Sequence, residues 1–135
     1  MKPNPEHSPL APIPAPRLLL VAHGSPAAET RLDFEDLLRT WREIRPELSI
    51  EAAFLSVGKP SVDEALELLA DQSQAEILVQ PLLVFRGRHL LVDLPKSIAD
   101  FSRRHPEIRI QMGLPLGLWP GFTQYLAQGL PFPPQ

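Results

Sequence analysis

Two histidines in this chain stand where apolar runs end. His23 closes a run of five apolar residues, Leu18–Ala22, and is followed at once by Gly24, Ser25 and Pro26. His89 follows a second apolar stretch, residues 75–85, after the short basic loop Arg86-Gly87-Arg88. An imidazole can hold a divalent first-row cation or accept a proton, because its ordinary pKa of about 6.5 lies near working pH. The other two histidines read as surface or structural residues: His7 lies among prolines, and His105 sits in "RRHPE" between a predicted helix and strand. The chain has no cysteine, so thiolate metal sites, disulfides and cysteine nucleophiles are excluded. Gly24-Ser25 lacks the glycine spacing and lysine of a phosphate loop, and no GxGxxG is present. Ser25 is not in a G-x-S-x-G elbow and reads as a turn and helix cap.

The chain that must position these groups has 135 residues, 44% hydrophobic and 21% charged, with a net charge of −3. That length suffices for one domain with a core. The acidic balance argues against a nucleic-acid partner. No apolar run approaches the ~20 residues needed to span a bilayer, and residues 1–16 have no secretory apolar region. A cytoplasmic protein with no membrane or nucleic-acid partner is the expectation.

Residues 1–16 carry Pro3, Pro5, Pro9, Pro12, Pro14 and Pro16; lacking amide donors, they are expected to form a disordered proline-rich tail. Residues 130–135 are expected to be a flexible end, which leaves residues 17–129 as the structured domain. Arg17–His23 reads as a buried strand between Pro16 and Gly24. Phe34, Leu37, Leu38, Trp41 and Ile44 recur at helical spacing, with the helix capped either by Ser25 before Pro26 or by Thr30 before Asp33. Residues 49–56 read as the second strand. Ser61 and Glu64 form a capping box for a helix buried through Val62, Ala65, Leu66 and Leu69. Residues 75–85 form a third strand interrupted by Pro81. Asp93 is the expected N-cap of a third helix beginning at Leu94-Pro95, with Ile98 and Phe101 inward. Residues 108–113 form a fourth strand, and Phe122, Tyr125 and Leu126 support a last helix stopped by Gly129.

Strands separated by amphipathic helices run parallel, because each helix returns the chain to the same edge. The fold class is therefore α/β: an open, mainly parallel four-stranded sheet, order 2-1-3-4, with helices on both faces. In such sheets ligands bind at the carboxyl ends of the strands, where the strand order reverses. That crevice lies between strands 1 and 3, so His23 and His89 are expected to meet there. Lys59, Arg86 and Arg88 lie on loops at the same end.

The segments "LLLVAHGSP", "AAFLSVGKPSVDEAL", "ILVQPLLVFRGRHLLVDLP" and "GLPLG", in that order over residues 17–120, resemble the small sirohydrochlorin chelatases of the CbiX/SirB type. The resemblance implies a chelatase-like fold, similar to half of a flavodoxin-like unit. It also implies ATP-independent insertion of Co²⁺ or Fe²⁺ into sirohydrochlorin, a lyase reaction on the route to cobalamin or sirohaem. By this resemblance His23 and His89 are the catalytic and metal-holding residues, and the short form assembles as a homodimer. The metal is a substrate, with Ni²⁺ a further candidate, and no permanently bound cofactor is implied.

Two departures from the family pattern stand out. Ser56 occupies the position where a glutamate is usual, and Pro26 replaces the arginine that often follows His-Gly-Ser. A hydroxyl is a weak ligand and a poor base, so weakened activity is one consequence. Candidate substrate-binding residues are Gly24, Ser25, Ser56, Lys59, Arg86 and Arg88, since sirohydrochlorin is a polycarboxylate and arginine suits carboxylates bidentately. Arg31 is a weaker cationic candidate. Phe85, Leu90 and Leu91 are apolar candidates for the macrocycle face, and Trp119 and Phe122 for a dimer contact. A non-catalytic metal or tetrapyrrole binder of the same fold is the alternative. An interaction domain using the proline-rich tail is a third reading.

Overall fold

The computed structural model describes residues 16–72 and 76–131. Its strands are β1 (Arg17–Gly24), β2 (Ser49–Val57), β3 (Ile77–Pro81) and β4 (Ile110–Met112). Its helices are α1 (Ala28–Ile44), α2 (Val62–Ala70), α3 (Leu94–Arg104) and α4 (Phe122–Gly129). One sheet runs β2-β1-β3-β4 with every pairing parallel, the order expected from the alternation of elements. The tail expected over residues 1–16 and the end over 130–135 fall almost wholly outside the described residues. Among the described residues no helix is long and apolar enough to cross a membrane.

Side chains alternate across a strand, and that alternation assigns each face of the sheet. Leu19 and Val21 of β1 pack with Val62, Ala65, Leu66 and Leu69 of α2 and with Leu94 and Phe101 of α3. Leu18 and Leu20 point the other way, onto Phe34 and Leu38 of α1 and Ile50 of β2. Helices therefore cover both faces, α2 and α3 on one and α1 on the other. The four predicted inward residues of α2 are all buried. The Ser61 capping box is formed: Ser61 Oγ accepts from the Glu64 amide, and Glu64 Oε2 accepts from the Ser61 amide.

Four local expectations are corrected. First, β3 ends at Pro81 instead of residue 85. Beyond the proline the Leu82 amide still donates to Val21 O at 2.8 Å, but the Leu83 and Val84 carbonyls accept from the Leu116 and Gly117 amides. Turn backbone beside them takes over where a strand partner would be. Second, neither proposed cap starts α1. Its N-cap is Ala27 without a side-chain bond, while Ser25 Oγ accepts from the Ala27 amide at 3.1 Å in a turn just before it. Third, Asp93 caps nothing: a single π-helical turn, His89–Asp93, runs directly into α3, and Asp93 is already in helical conformation. Fourth, α4 buries none of its residues, with Tyr125 and Leu126 exposed. Its apolar stripe finds no partner in the core, and Trp119 is likewise partly exposed.

His105 is the structural residue its position suggested. Its Nε2 lies 2.8 Å from Glu67 Oε2 and its ring 4.7 Å from that of Phe101. Arg104 Nη2 reaches Glu67 Oε1 at 2.6 Å, so Glu67 ties α2 to the end of α3. The Arg104 guanidinium, and then His105, holds the Glu67 carboxyl below its ordinary 4.5. A carboxyl with a lowered folded pKa contributes stability above the unfolded value, and that contribution is lost as pH falls below about 4.5. Water screens these exposed pairs, so Glu67→Gln is expected to cost only about 0.5 kcal/mol. Urea unfolding at pH 6.5 should show that deficit, and the variant and parent should converge near pH 3.

Candidate metal centre

The strand period that buries Leu19 and Val21 carries His23 to the same face of the sheet, at the carboxyl end of β1. That face is the one α3 covers. His89 opens the π-helical turn leading into α3, and the turn is anchored by Leu90 at 4% exposure and Leu94 at 0%. Its first amides, of Leu90 and Leu91, both donate to Gly87 O. The two histidines, far apart in sequence, therefore meet. Their ring centroids are 5.0 Å apart at an interplanar angle of 72°. Two imidazoles bound to one tetrahedral cation through nitrogens at ~2.0–2.1 Å have ring centres about 5 Å apart, so the observed spacing suits a shared ion.

The hydrogen bonds set the tautomers. His23 Nδ1 lies 3.1 Å from Gly24 O, and His89 Nδ1 lies 2.9 Å from Asp93 Oδ2. A carbonyl and a carboxylate can only accept, so each Nδ1 carries the proton in the neutral ring. Each Nε2 is left with its lone pair, the form a metal ligand or a proton acceptor needs. Among the described residues no cluster of three or more histidine, aspartate or glutamate side chains is arranged to hold a metal ion. The pair thus supplies two nitrogens and leaves the remaining positions of a bound cation open.

Gly24 is what allows β1 to end this way. Its φ is +89°, and a Cβ there would meet Val57 O at 1.9 Å. The register explains the crowding. Ala22 pairs with Phe54 and Gly24 with Val57, so two residues of β2, Leu55 and Ser56, stand opposite the single His23. This bulge is the kind of irregularity that re-aims side chains beside a site. It puts Ser56, exposed, at the rim opposite His23.

The remaining predicted site residues divide. Arg86 and Arg88 are exposed on the loop leading to His89, and among the described residues neither forms an ion pair. Lys59 is committed: its Nζ pairs with Glu64 Oε1 at 2.8 Å. That contact, with the bond from the Ser61 amide, lowers the Glu64 pKa. Ser25 is half-buried and engaged in its turn, and Arg31 pairs with Glu35. Phe85 and Leu91 are exposed at 77% and 62%, whereas Leu90 is core, so only the first two can meet a ligand. A groove of about 800 Å³, bordered by Ser25, Phe34, Phe54, Val57, Gly58 and Lys59, adjoins the rim on the α1 side. Asp93, which contacts His89, was not among the predicted site residues. The i,i+4 spacing His-x-x-x-Asp was its signal, obscured by a good N-cap reading one residue before Leu94.

Known proteins resemble this chain in sequence and in fold. The family described as CbiX matches residues 17–131. The chain is 29% identical over 100 residues to the chloroplastic sirohydrochlorin ferrochelatase of Arabidopsis thaliana, covering 74% of this chain and 44% of that protein. It is 30% identical over 104 residues to the sirohydrochlorin cobaltochelatase of Sulfurisphaera tokodaii, covering 75% and 79%. Among solved structures it is similar to the sirohydrochlorin chelatase SirB from Bacillus subtilis subspecies spizizenii in complex with cobalt. The TM-score there is 0.71 at 28% identity, over 78% of this chain and 45% of that one. The chain thus spans less than half the length of the plant relative and of SirB.

Gly24→Ala tests the rim directly. The positive φ and the contact with Val57 O should cost about 2 kcal/mol or more in unfolding free energy. The strand ends must also part, so Co²⁺ binding, followed by visible absorbance, should weaken in whatever fraction remains folded.

Proposed function

The chain belongs to the CbiX family, and on that premise we propose that it is a metal chelatase inserting Co²⁺ or Fe²⁺ into sirohydrochlorin. The observation that carries the proposal is the 5.0 Å approach of the His23 and His89 rings. The names of the relatives, both ferro- and cobaltochelatases, support the substrate class and leave the choice of metal between the two. Residues 17–129 act as one domain in this reading, and the cytoplasm is the compartment we propose.

The chemistry asked of the site is an exchange. One divalent cation enters the macrocycle as two pyrrole N–H protons leave, so charge balances. His23 and His89 present the cation through Nε2 and accept the departing protons. Both tasks need a neutral imidazole. A pair of neutral ligands holds the ion loosely enough to surrender it to four pyrrole nitrogens, whereas a closed set of four protein ligands would retain it. Arg86 and Arg88, unpaired among the described residues, are the cations best disposed to receive substrate carboxylates. Lys59 contributes only if it leaves Glu64. Phe85 and Leu91 offer apolar surface to the macrocycle.

A second reading, a non-catalytic binder of the same ligands, is favoured by one observation: exposed Ser56 stands opposite His23 where a carboxylate is usual in the family. A homodimer is also proposed. Val92 and Trp119 are exposed apolar residues, which a second copy would cover. Light scattering should then report twice the chain mass, and a monomer at all concentrations would discard the assembly.

The main test is metal insertion into purified sirohydrochlorin, followed by absorbance with Co²⁺, Fe²⁺ and Ni²⁺ in turn. His23→Ala and His89→Ala should each lower the rate about 100-fold while the fold survives. Unchanged rates in both remove the proposal. Ser56→Glu should raise turnover of a weakened enzyme several-fold, and tight binding without turnover in either form identifies the binder.

A further inference from the structure

We propose that Asp93 is a positioning residue that locks His89 in the tautomer and orientation in which its Nε2 faces the cation. The inference deepens the site reading above and rests on it. A carboxylate ahead of Leu94-Pro95 reads naturally as a helix cap, yet Asp93 has φ −69° and ψ −50° and makes no capping bond. Its Oδ2 is instead 2.9 Å from His89 Nδ1. The side chains are 36% and 44% exposed for His89 and Asp93, so the pair sits at the surface of the site and not deep in the core.

The backbone between the two residues explains why the pair holds. The π-helical turn from His89 to Asp93 is a rare conformation that recurs at functional sites. Leu90 within it and Leu94 just after it are both buried. Those leucines fix the turn against the core, and the turn fixes the spacing of the imidazole and the carboxylate. Rotating the His89 ring by half a turn would exchange Nδ1 for a carbon and break the bond. The carboxylate thus selects one ring orientation and one tautomer together. Metal-binding histidines commonly donate their other N–H to such an acceptor.

The two rings are not equivalent. His23 leans on a neutral backbone carbonyl, Gly24 O, at 3.1 Å. His89 leans on an anion at 2.9 Å, and charge-assisted hydrogen bonds are roughly twice as strong as neutral ones. Losing Asp93 should therefore disorder His89 while leaving His23 as it was.

The experiment uses the full chain with Asp93→Ala and Asp93→Asn, folding being checked by circular dichroism. Two readouts are taken: the ¹⁵N chemical shifts of the imidazoles in metal-free protein at pH 8.5, and Co²⁺ affinity by visible absorbance. In Asp93→Ala, the His89 shifts should move away from the Nδ1–H tautomer while those of His23 stay, and the Co²⁺ Kd should rise about 10–100-fold. Asparagine keeps an accepting oxygen without the charge. It should retain the tautomer with a smaller loss of affinity, about 3–10-fold. A folded alanine variant with parental His89 shifts and parental Co²⁺ affinity overturns the inference. If the alanine variant does not fold, parental affinity in the asparagine variant does so. The site reading fails separately, if His89→Ala binds Co²⁺ as the parent does; the metal-free tautomer measurement still decides the role of Asp93 in that case.

Discussion

The close approach of β1 and β2 at Gly24 is the constraint on which the proposed site depends. A hydrogen in place of a side chain lets Val57 O come within 1.9 Å of where a Cβ would stand. The chain can then leave the sheet at a φ of +89°, a conformation that costs other residues about 1–3 kcal/mol. The turn follows His23 at once, so the imidazole is the last side chain β1 delivers before the backbone departs. The bulge in β2 answers the same crowding and brings Ser56 opposite.

The second constraint comes from the core. His89 cannot reach His23 unless the segment after Pro81 crosses the rim and re-enters the fold on the α3 face. Leu90 and Leu94, both buried, enforce that path with hydrophobic area that no polar contact at the surface could match. The functional groups are thus small, exposed attachments to a strand end and a helix start that are themselves deeply anchored. For the proposed site such an arrangement reconciles an open coordination sphere with fixed geometry: the proposed ligands are few, but each is held by a rigid element and by a hydrogen bond donated from its Nδ1.

Much of the fold was legible because its signals are local. The apolar run of β1, the alternation of strands with amphipathic stretches and the Ser61-Glu64 box each announce themselves within about ten residues, and the sheet order follows from general rules of connection. The misreadings share a cause. β3 was overextended because Leu82–Phe85 is as apolar as Ile77–Pro81; only the turn beside it, at Leu116 and Gly117, decides that the ladder stops. Asp93 met every local criterion for a cap and was drawn instead to His89. The apolar stripe of α4 predicted a helix correctly but not its exposure, since periodicity says which residues share a face and not whether another surface meets it.

By itself the sequence determined the residue types, their periodicities and hence the parallel wound sheet whose carboxyl rim carries both histidines. It also narrowed the chemistry open to them, since a chain without cysteine has no thiolate to offer. Tertiary structure alone decided that the two rings lie 5.0 Å apart, that Asp93 faces His89, that Lys59 pairs with Glu64 while Arg86 and Arg88 form no ion pair among the described residues, and that a bulge sets Ser56 opposite His23. The reason is physical. Periodicity assigns a side chain to a face, but distances between elements arise from how buried side chains interlock, and that packing is a property of the assembled core.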